Sequence, residues 1–202
     1  MQEDLRKQAL REEIWKRMEH EHIASFPFPV RRRIPNFRGS HEAASKLRTL
    51  PEYQTANTIF VNPDAAQRPV RKFVLLDGKK LVMPTPKLER GFIILVPESV
   101  AGKEQEAASI RGAFKYGKLV VEIPEVDLMV EGCVAVDMHG NRLGKGGGYG
   151  DREIRAVRQK YGDVCVVTTC HPSQIVEEVP AGDRDEHIDI IVTPERIYHI
   201  QR

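Results

Sequence analysis

This 202-residue chain offers little for covalent cross-linking: it has three cysteines, Cys133, Cys165 and Cys170. An odd count spread through segments that read as strands builds no disulfide framework and fits a reducing compartment. Cys165 and Cys170 lie near His171, but no second Cys/His pair completes a metal site. No apolar run reaches the roughly 18–20 residues of a membrane span. The amino end, Met1-Gln2-Glu3-Asp4, opens a charged helix rather than a secretory leader, so the expected location is the cytoplasm. Net charge is only +2, too small for nucleic-acid binding by overall attraction. Internal repeats and low-complexity segments are missing as well. What remains is 41% hydrophobic and 30% charged, the balance of a globular protein, and the length suits one α/β domain.

The stretch with the most chemistry is Asn141-Arg142-Leu143-Gly144-Lys145-Gly146-Gly147-Gly148-Tyr149-Gly150-Asp151-Arg152, with five glycines. Before it, Cys133-Val134-Ala135-Val136-Asp137 reads as a buried strand. After it, residues 153–161 read as a helix. A glycine-rich loop at a strand–helix junction can turn several N–H groups toward one anion, and the helix N-terminus adds partial positive charge. Glycine lets the backbone approach a phosphate without a Cβ clash. Arg142 and Lys145 add full charges. The loop fits neither common phosphate motif: no Ser or Thr follows the Gly-Lys pair, and Tyr149 stands where a dinucleotide fingerprint needs its third glycine. The competing account is a mobile glycine turn without a ligand.

Along the chain, residues 4–22 carry an apolar stripe (Leu5, Ala9, Ile14, Met18) at helical spacing, with Lys7 and Arg11 together on the other face. The segment 26–39 has three prolines, which forbid a continuous helix, and interleaves Phe26, Phe28 and Phe37 with Arg31-Arg32-Arg33. It reads as an extended arm pinned by its phenylalanines, or as a surface that stacks bases and pairs phosphates. Ser40 is placed to cap a helix through about Leu50. Strands are expected at 57–61, 80–83, 91–96, 127–130, 163–168 and 188–193, with an edge segment at 118–123. Helices are expected at 69–77, ended by Gly78, and at 104–114. Strands alternating with helices predict a three-layer α/β/α fold with a mostly parallel sheet. In such sheets ligands bind at the strands' carboxyl ends, so the loops 62–69, 84–91, 142–151 and 169–174 are expected to converge on one cleft.

The run Asp127-Leu128-Met129-Val130-Glu131-Gly132-Cys133-Val134-Ala135-Val136-Asp137, then Gly140-Asn141-Arg142-Leu143-Gly144-Lys145-Gly146-Gly147-Gly148-Tyr149 and Asp151-Arg152, resembles the motif of the 5-formyltetrahydrofolate cyclo-ligase (methenyltetrahydrofolate synthetase) family. Lys7-Gln8-Ala9-Leu10-Arg11, Leu50-Pro51-Glu52-Tyr53 and Gln174, Pro180, Asp185, Ile188, Asp189 and Val192-Thr193 resemble it too. The segments 26–39, 62–71 and 84–92 are similar to the family's methenyltetrahydrofolate synthetase domain-containing subgroup. The resemblance implies a single domain over 1–202, with a helix and proline-rich arm (1–39) packed on it. It implies closure of 5-formyltetrahydrofolate to 5,10-methenyltetrahydrofolate: ATP phosphorylates the formyl oxygen, N10 attacks, and phosphate leaves. The implied cofactors are ATP and Mg²⁺.

The same resemblance implies site residues. Arg142, Lys145 and Tyr149 would be catalytic, and Lys7, Arg11, Gly144, Lys145, Gly146, Gly147, Gly148, Tyr149 and Asp151 would bind ATP. Asn62, Pro63, Asp64 and Arg68 would meet the folate or pterin, and Asp151 and Asp189 would hold the metal. A monomer or homodimer with a small-molecule substrate is implied, with neither membrane nor nucleic acid as partner. Because the chain ends at Arg202, an appended RNA-binding module is not expected. The chain departs from the family pattern where a second Tyr becomes Gly150, where a folate-side Glu gives way to Asn62-Pro63-Asp64, and where a Glu-Pro pair shrinks to Ile123-Pro124-Glu125-Val126. These departures keep two rivals open: a nucleotide-binding paralogue with another substrate, and an RNA- or protein-binding module using Arg31 to Arg38.

Overall fold

The computed structural model describes residues 2–201, so the expected domain limits, 1 and 202, lie outside the described residues. Apolar runs rich in Val, Ile and Leu form the central strands. In chain order these are β1 (Thr58–Val61), β2 (Lys80–Pro84), β3 (Phe92–Leu95), β4 (Lys118–Val120), β5 (Leu128–Glu131), β6 (Cys165–Thr169), β7 (Ile190–Val192) and β8 (Ile197–His199). They make one sheet in the order β8-β7-β6-β5-β1-β2-β3-β4. The five strands from β7 to β2 run parallel, and β8, β3 and β4 join antiparallel at the two edges.

Successive strand residues enter different cores, as the period-two alternation of a strand requires. Ile59, Val61, Leu128, Val130 and Val167 pack on one face, against α2 (Ser40–Leu47), α3 (Arg68–Leu76) and α4 (Ile110–Tyr116). Phe60, Met129 and Val166 pack on the other, against Ile154 and Val157 of α5 (Tyr149–Tyr161). The expected three layers are therefore present, with helices on both faces. A third cluster lets the N-terminal helix, α1 (Gln2–His20), bury Ile14, Trp15 and Met18 against Val134, Ala135 and Leu143.

Several sequence expectations shift. The helix expected from Ser40 to Leu50 stops at Leu47, and its cap is Gly39 (φ 90°), not the Ser40 side chain. Glycine is required there because a Cβ would lie 2.5 Å from Pro194 Cγ. The helix expected at 104–114 is broken: Ser109 leaves the helical conformation and its hydroxyl accepts from the Gly112 N–H at 2.9 Å, capping α4. The buried strand expected at 133–137 shrinks to Ala135–Asp137 and leaves the main sheet. It pairs antiparallel with Arg142–Leu143 and parallel with Ile175–Val176. The glycine loop therefore springs from Arg142–Leu143, which ends that small sheet's hairpin.

Candidate functional site

The strand order reverses between β1 and β5: from β1 the chain moves one way to β2, while β5, β6 and β7 step the other way. That is where an open α/β sheet leaves a crevice at its strands' carboxyl ends. A cavity of about 870 Å³ opens there, near the upper end of the roughly 300–1,000 Å³ of ligand pockets. Its floor is Asn62 after β1, Pro84 of β2 and Glu131 of β5. Residues 84–87 form one side, and Gly144, Lys145 and Gly147 through Asp151 form the roof over Arg142 and Glu153. Pro27, Pro29 and residues 31–34 of the arm close the remaining side.

The loop 169–174, expected in the cleft, is not there. His171 and Gln174 close its turn on itself with a capping box, and Gln174 Nε2 donates to the Cys133 carbonyl at 2.8 Å. The arm takes that place. Its pinning also differs from expectation: Phe37 is buried, but Phe26 and Phe28 are 78% and 55% exposed, and Val30 and Ile34 anchor the segment instead. Trp15 Nε1 donates to the Arg33 carbonyl at 3.0 Å, tying the arm to the N-terminal helix.

That helix docks beside the glycine loop. Arg11 Nε donates to the Gly144 carbonyl at 2.7 Å, and Gly146 faces the same guanidinium rather than the cavity. Burial holds the Arg11 pKa below its usual range. Lys7 is spoken for: its ammonium pairs with Asp185 at 2.5 Å and Glu3 at 2.6 Å. Burial works to lower the Lys7 pKa, but the two carboxylates outweigh it and leave it raised. Lys7 does not line the cavity.

In the loop itself, Lys145 Nζ bonds Asp64 Oδ1 at 2.8 Å, so the pair joins the glycine loop to the segment after β1. Gly148, at φ 63°, caps α5 without a side-chain bond to the first-turn N–H groups. Gly147 lies against the Tyr149 ring, where a Cβ would sit 2.6 Å from Cδ2. Arg152 covers the same ring at 4.6 Å.

Arg142 is buried under this roof. It donates to the Gly132 carbonyl at 3.1 Å and to Asp151 Oδ1 at 2.9 Å. Burial pulls its pKa down, but Asp151 and Glu131 more than compensate and leave it raised. Asp151 also accepts from the Glu186 N–H at 3.2 Å, which fixes the start of α5. Asn62, Pro63, Asp64 and Arg68 all line the cavity. Arg71, fully buried, donates to the carbonyls of Asn62 and Asp64, holding that loop in shape, and burial pushes its pKa down to about 9.

Asp189 is not brought to the site. It lies just before β7, at the amino end of the parallel strands, where it accepts from the Val166 N–H at 2.8 Å and faces Arg158. The cavity is at the opposite end of the sheet, so Asp151 and Asp189 do not share one ion. Among the described residues no group of three His, Cys, Asp or Glu forms a metal cage.

Two buried carboxyls went unnoticed in the sequence. Glu131 is fully buried, and burial raises its pKa to about 7, with the charges of Asp64 and Asp151 adding and Arg142 opposing. Glu153 beside it is raised well above the carboxylate range by burial and by Glu131. Signals for both existed. Glu131 ends a central parallel strand, which is buried on both faces. Glu153 falls on the α5 stripe with Ile154 and Val157.

Comparisons with known proteins agree with this fold. The family model for the 5-formyltetrahydrofolate cyclo-ligase family matches residues 3–194. The chain belongs to that family. It is 42% identical over 202 residues to the methenyltetrahydrofolate synthase domain-containing protein of Bos taurus, covering 95% of this chain and 53% of that protein. The 5-formyltetrahydrofolate cyclo-ligase of Escherichia coli (strain K12) is 24% identical over 172 residues, 78% of this chain and 88% of that one. The solved Aquifex aeolicus 5,10-methenyltetrahydrofolate synthetase superposes with a TM-score of 0.62 at 23% identity, covering 97% of this chain and 93% of that one, a likeness of fold. The chain spans about half the length of the domain-containing relatives it matches. Among the described residues no helix is long and apolar enough to cross a membrane.

Proposed function

We propose that this chain is an ATP-dependent 5-formyltetrahydrofolate cyclo-ligase, forming 5,10-methenyltetrahydrofolate with release of ADP and phosphate. One observation carries the reading: the glycine loop and the segment after β1 face each other across one cavity and are joined by the Lys145–Asp64 pair. Family membership and the relatives' names support the same reaction. The residues present fit nucleotide phosphates. Gly147 and Gly148 expose backbone at an uncapped helix N-terminus, a ready anion site, with Lys145 at its edge.

When bound, ATP supplies the phosphoryl group that makes the formyl oxygen a good leaving group. Such transfer needs positioning and charge neutralisation rather than a covalent nucleophile. Lys145 neutralises the phosphates, with Arg11 steadying the loop through Gly144. Arg142 holds Asp151, and so the start of α5, in register with the floor. Tyr149 stacks at the roof. Asn62, Pro63, Asp64 and Arg68 orient the folate so that N10 faces the formyl carbon. Mg²⁺ fits as an ion carried by the phosphates, needing only one or two carboxylates, and Asp64 and Asp151 are the ones at hand. Placement of the arm in the cavity wall supports this reading over RNA binding by residues 31–38. A reducing cytoplasmic setting agrees with its three free cysteines.

The test is direct. Incubation with 5-formyltetrahydrofolate and Mg-ATP should produce the methenyl chromophore, with stoichiometric ADP. ATP binding without methenyl formation, at high enzyme concentration, would assign the chain to the nucleotide-binding paralogue instead.

A further inference from the structure

β5 and β6 run side by side and parallel, with Val166 opposite Met129, Val167 opposite Val130 and Thr168 opposite Glu131. Two residues further on, the same offset sets Cys170 opposite Cys133. Residues that lie opposite point to the same face, and both cysteines are buried in the cluster of Met129 and Val166. Cys165 lies on the other face, against the cluster of Val130 and Val167. Neighbouring strands run about 4.7–4.9 Å apart, inside the roughly 4.4–6.8 Å between Cα atoms that a disulfide spans. The side chains meet as well: the Cys170 S–H donates to the Cys133 sulfur. That bond holds the Cys133 thiol below its usual range against the effect of burial, and Thr168 and Arg142 help. The same bond and burial push the Cys170 thiol well above that range. One sulfur is thus prepared to attack, and the other keeps its proton.

The phosphate and folate chemistry leaves this pair unused. We propose that Cys133 and Cys170 form a reversible redox site, closed to a disulfide by a hydroperoxide and reopened by small-molecule thiols. The Cys133 thiolate attacks a peroxide oxygen and the O–O bond breaks, giving a sulfenic acid and hydroxide, which takes up the proton that Cys133 released. The Cys170 sulfur then attacks the Cys133 sulfur, the S–O bond breaks, and the hydroxyl leaves as water with the Cys170 proton. Two thiols give up two electrons and the peroxide accepts them. Gly132, the neighbour of Cys133, lines the cavity, so a peroxide little larger than water arrives through the floor. A disulfide holds its Cβ atoms about 3.5–4.5 Å apart, closer than adjacent strands set them. Closure therefore draws Gly132 toward β6 and shifts the carbonyl that receives Arg142.

The full chain, first reduced and then exposed to hydrogen peroxide, is alkylated and mapped by mass spectrometry. It is expected to lose two of its three free thiols, in a Cys133–Cys170 cross-link that excess reduced glutathione reopens. Cys133→Ser should abolish the cross-link, and Cys170→Ser should halt the reaction at a sulfenic acid that dimedone traps. The mapping uses the unaltered protein, so it stands even where a variant folds poorly. No cross-link in the folded chain, oxidation chiefly at Cys165, or a bridge that glutathione leaves closed overturns the assignment. Amide hydrogen exchange across residues 142–151 should change roughly threefold or more on oxidation, because the Arg142 anchor moves. Identical exchange in the two forms overturns the link to the roof. Neither readout involves ATP or folate, so a failure here leaves the cyclo-ligase reading standing, and absent methenyl formation leaves the redox site standing.

Discussion

Glu131 is the residue whose burial has the most consequences. Its carboxyl sits at the end of a central strand, with one oxygen on Asn62, and burial raises its pKa to about 7. The unfolded chain ionises this group near its ordinary value of 4.5, while the folded one keeps the proton up to about 7. The favourable contribution is thus complete below about pH 4.5 and is lost as pH rises through about 7. Glu131→Gln removes that dependence. Relative to the parent, the variant should gain up to about 3 kcal/mol between pH 4.5 and 8, from the shift at 1.36 kcal/mol per unit. Denaturant unfolding at the two pH values checks it, and parallel curves would show that Glu131 titrates normally. Gly150 lies against the same cluster. A methyl there would collide with an Arg142 side chain already held at two points, so Gly150→Ala should cost about 1–3 kcal/mol in thermal or chemical unfolding. In the sequence Gly150 stood out only as a departure from a paired tyrosine. That a guanidinium and a carboxylate fill the space beneath it is a long-range fact, set by β5 and the hairpin at Arg142, which local pattern does not carry.

Elements were more legible than residues where burial is two-sided. The runs at β1, β2, β3 and β5 are apolar enough to name themselves, and their alternation with helices gave the layers. Segment 133–137 is equally apolar, yet it lies in the small sheet, because apolar content reports burial and not which sheet does the burying. The N-terminal helix shows a similar limit. Its stripe was readable, but its contact with a loop 133 residues away was not. That contact is an element-scale device: Arg11 pins the carbonyl of Gly144, so the helix braces the loop from outside the cavity. Arg11→Ala is expected to raise the ATP dissociation constant while leaving the loop's own charges intact. Lys145→Ala removes a charge and should cost roughly 1.5–3 kcal/mol of ATP affinity, less whatever its pair with Asp64 already absorbs. Calorimetric titration reads both. Unchanged affinity in Lys145→Ala removes the lysine from the phosphate site, and unchanged affinity in Arg11→Ala leaves the brace without a function.

At the scale of the whole molecule the charge is small but unevenly placed. Net charge is +2, yet the exposed cations Arg32, Arg33, Arg68, Lys87 and Lys145 gather around one cavity, whose carboxyls Glu131 and Glu153 are buried beneath them. Global composition hid this, because an even sum says nothing about where the fold puts each sign. A cleft with one sign at its rim focuses field lines and raises the capture rate of an oppositely charged ligand. Salt shortens the reach of that field from about 30 Å at 0.01 M to about 8 Å at physiological ionic strength. The association rate of ATP should therefore fall by roughly tenfold over that range, while that of uncharged adenosine changes little. Replacing Arg32 and Arg33 together by Gln should flatten the ATP dependence without touching the glycine loop, and stopped-flow mixing at four salt concentrations separates the slopes. Equal slopes for ATP and adenosine would mean that the arm closes the cavity by shape alone and that its arginines face solvent without steering anything.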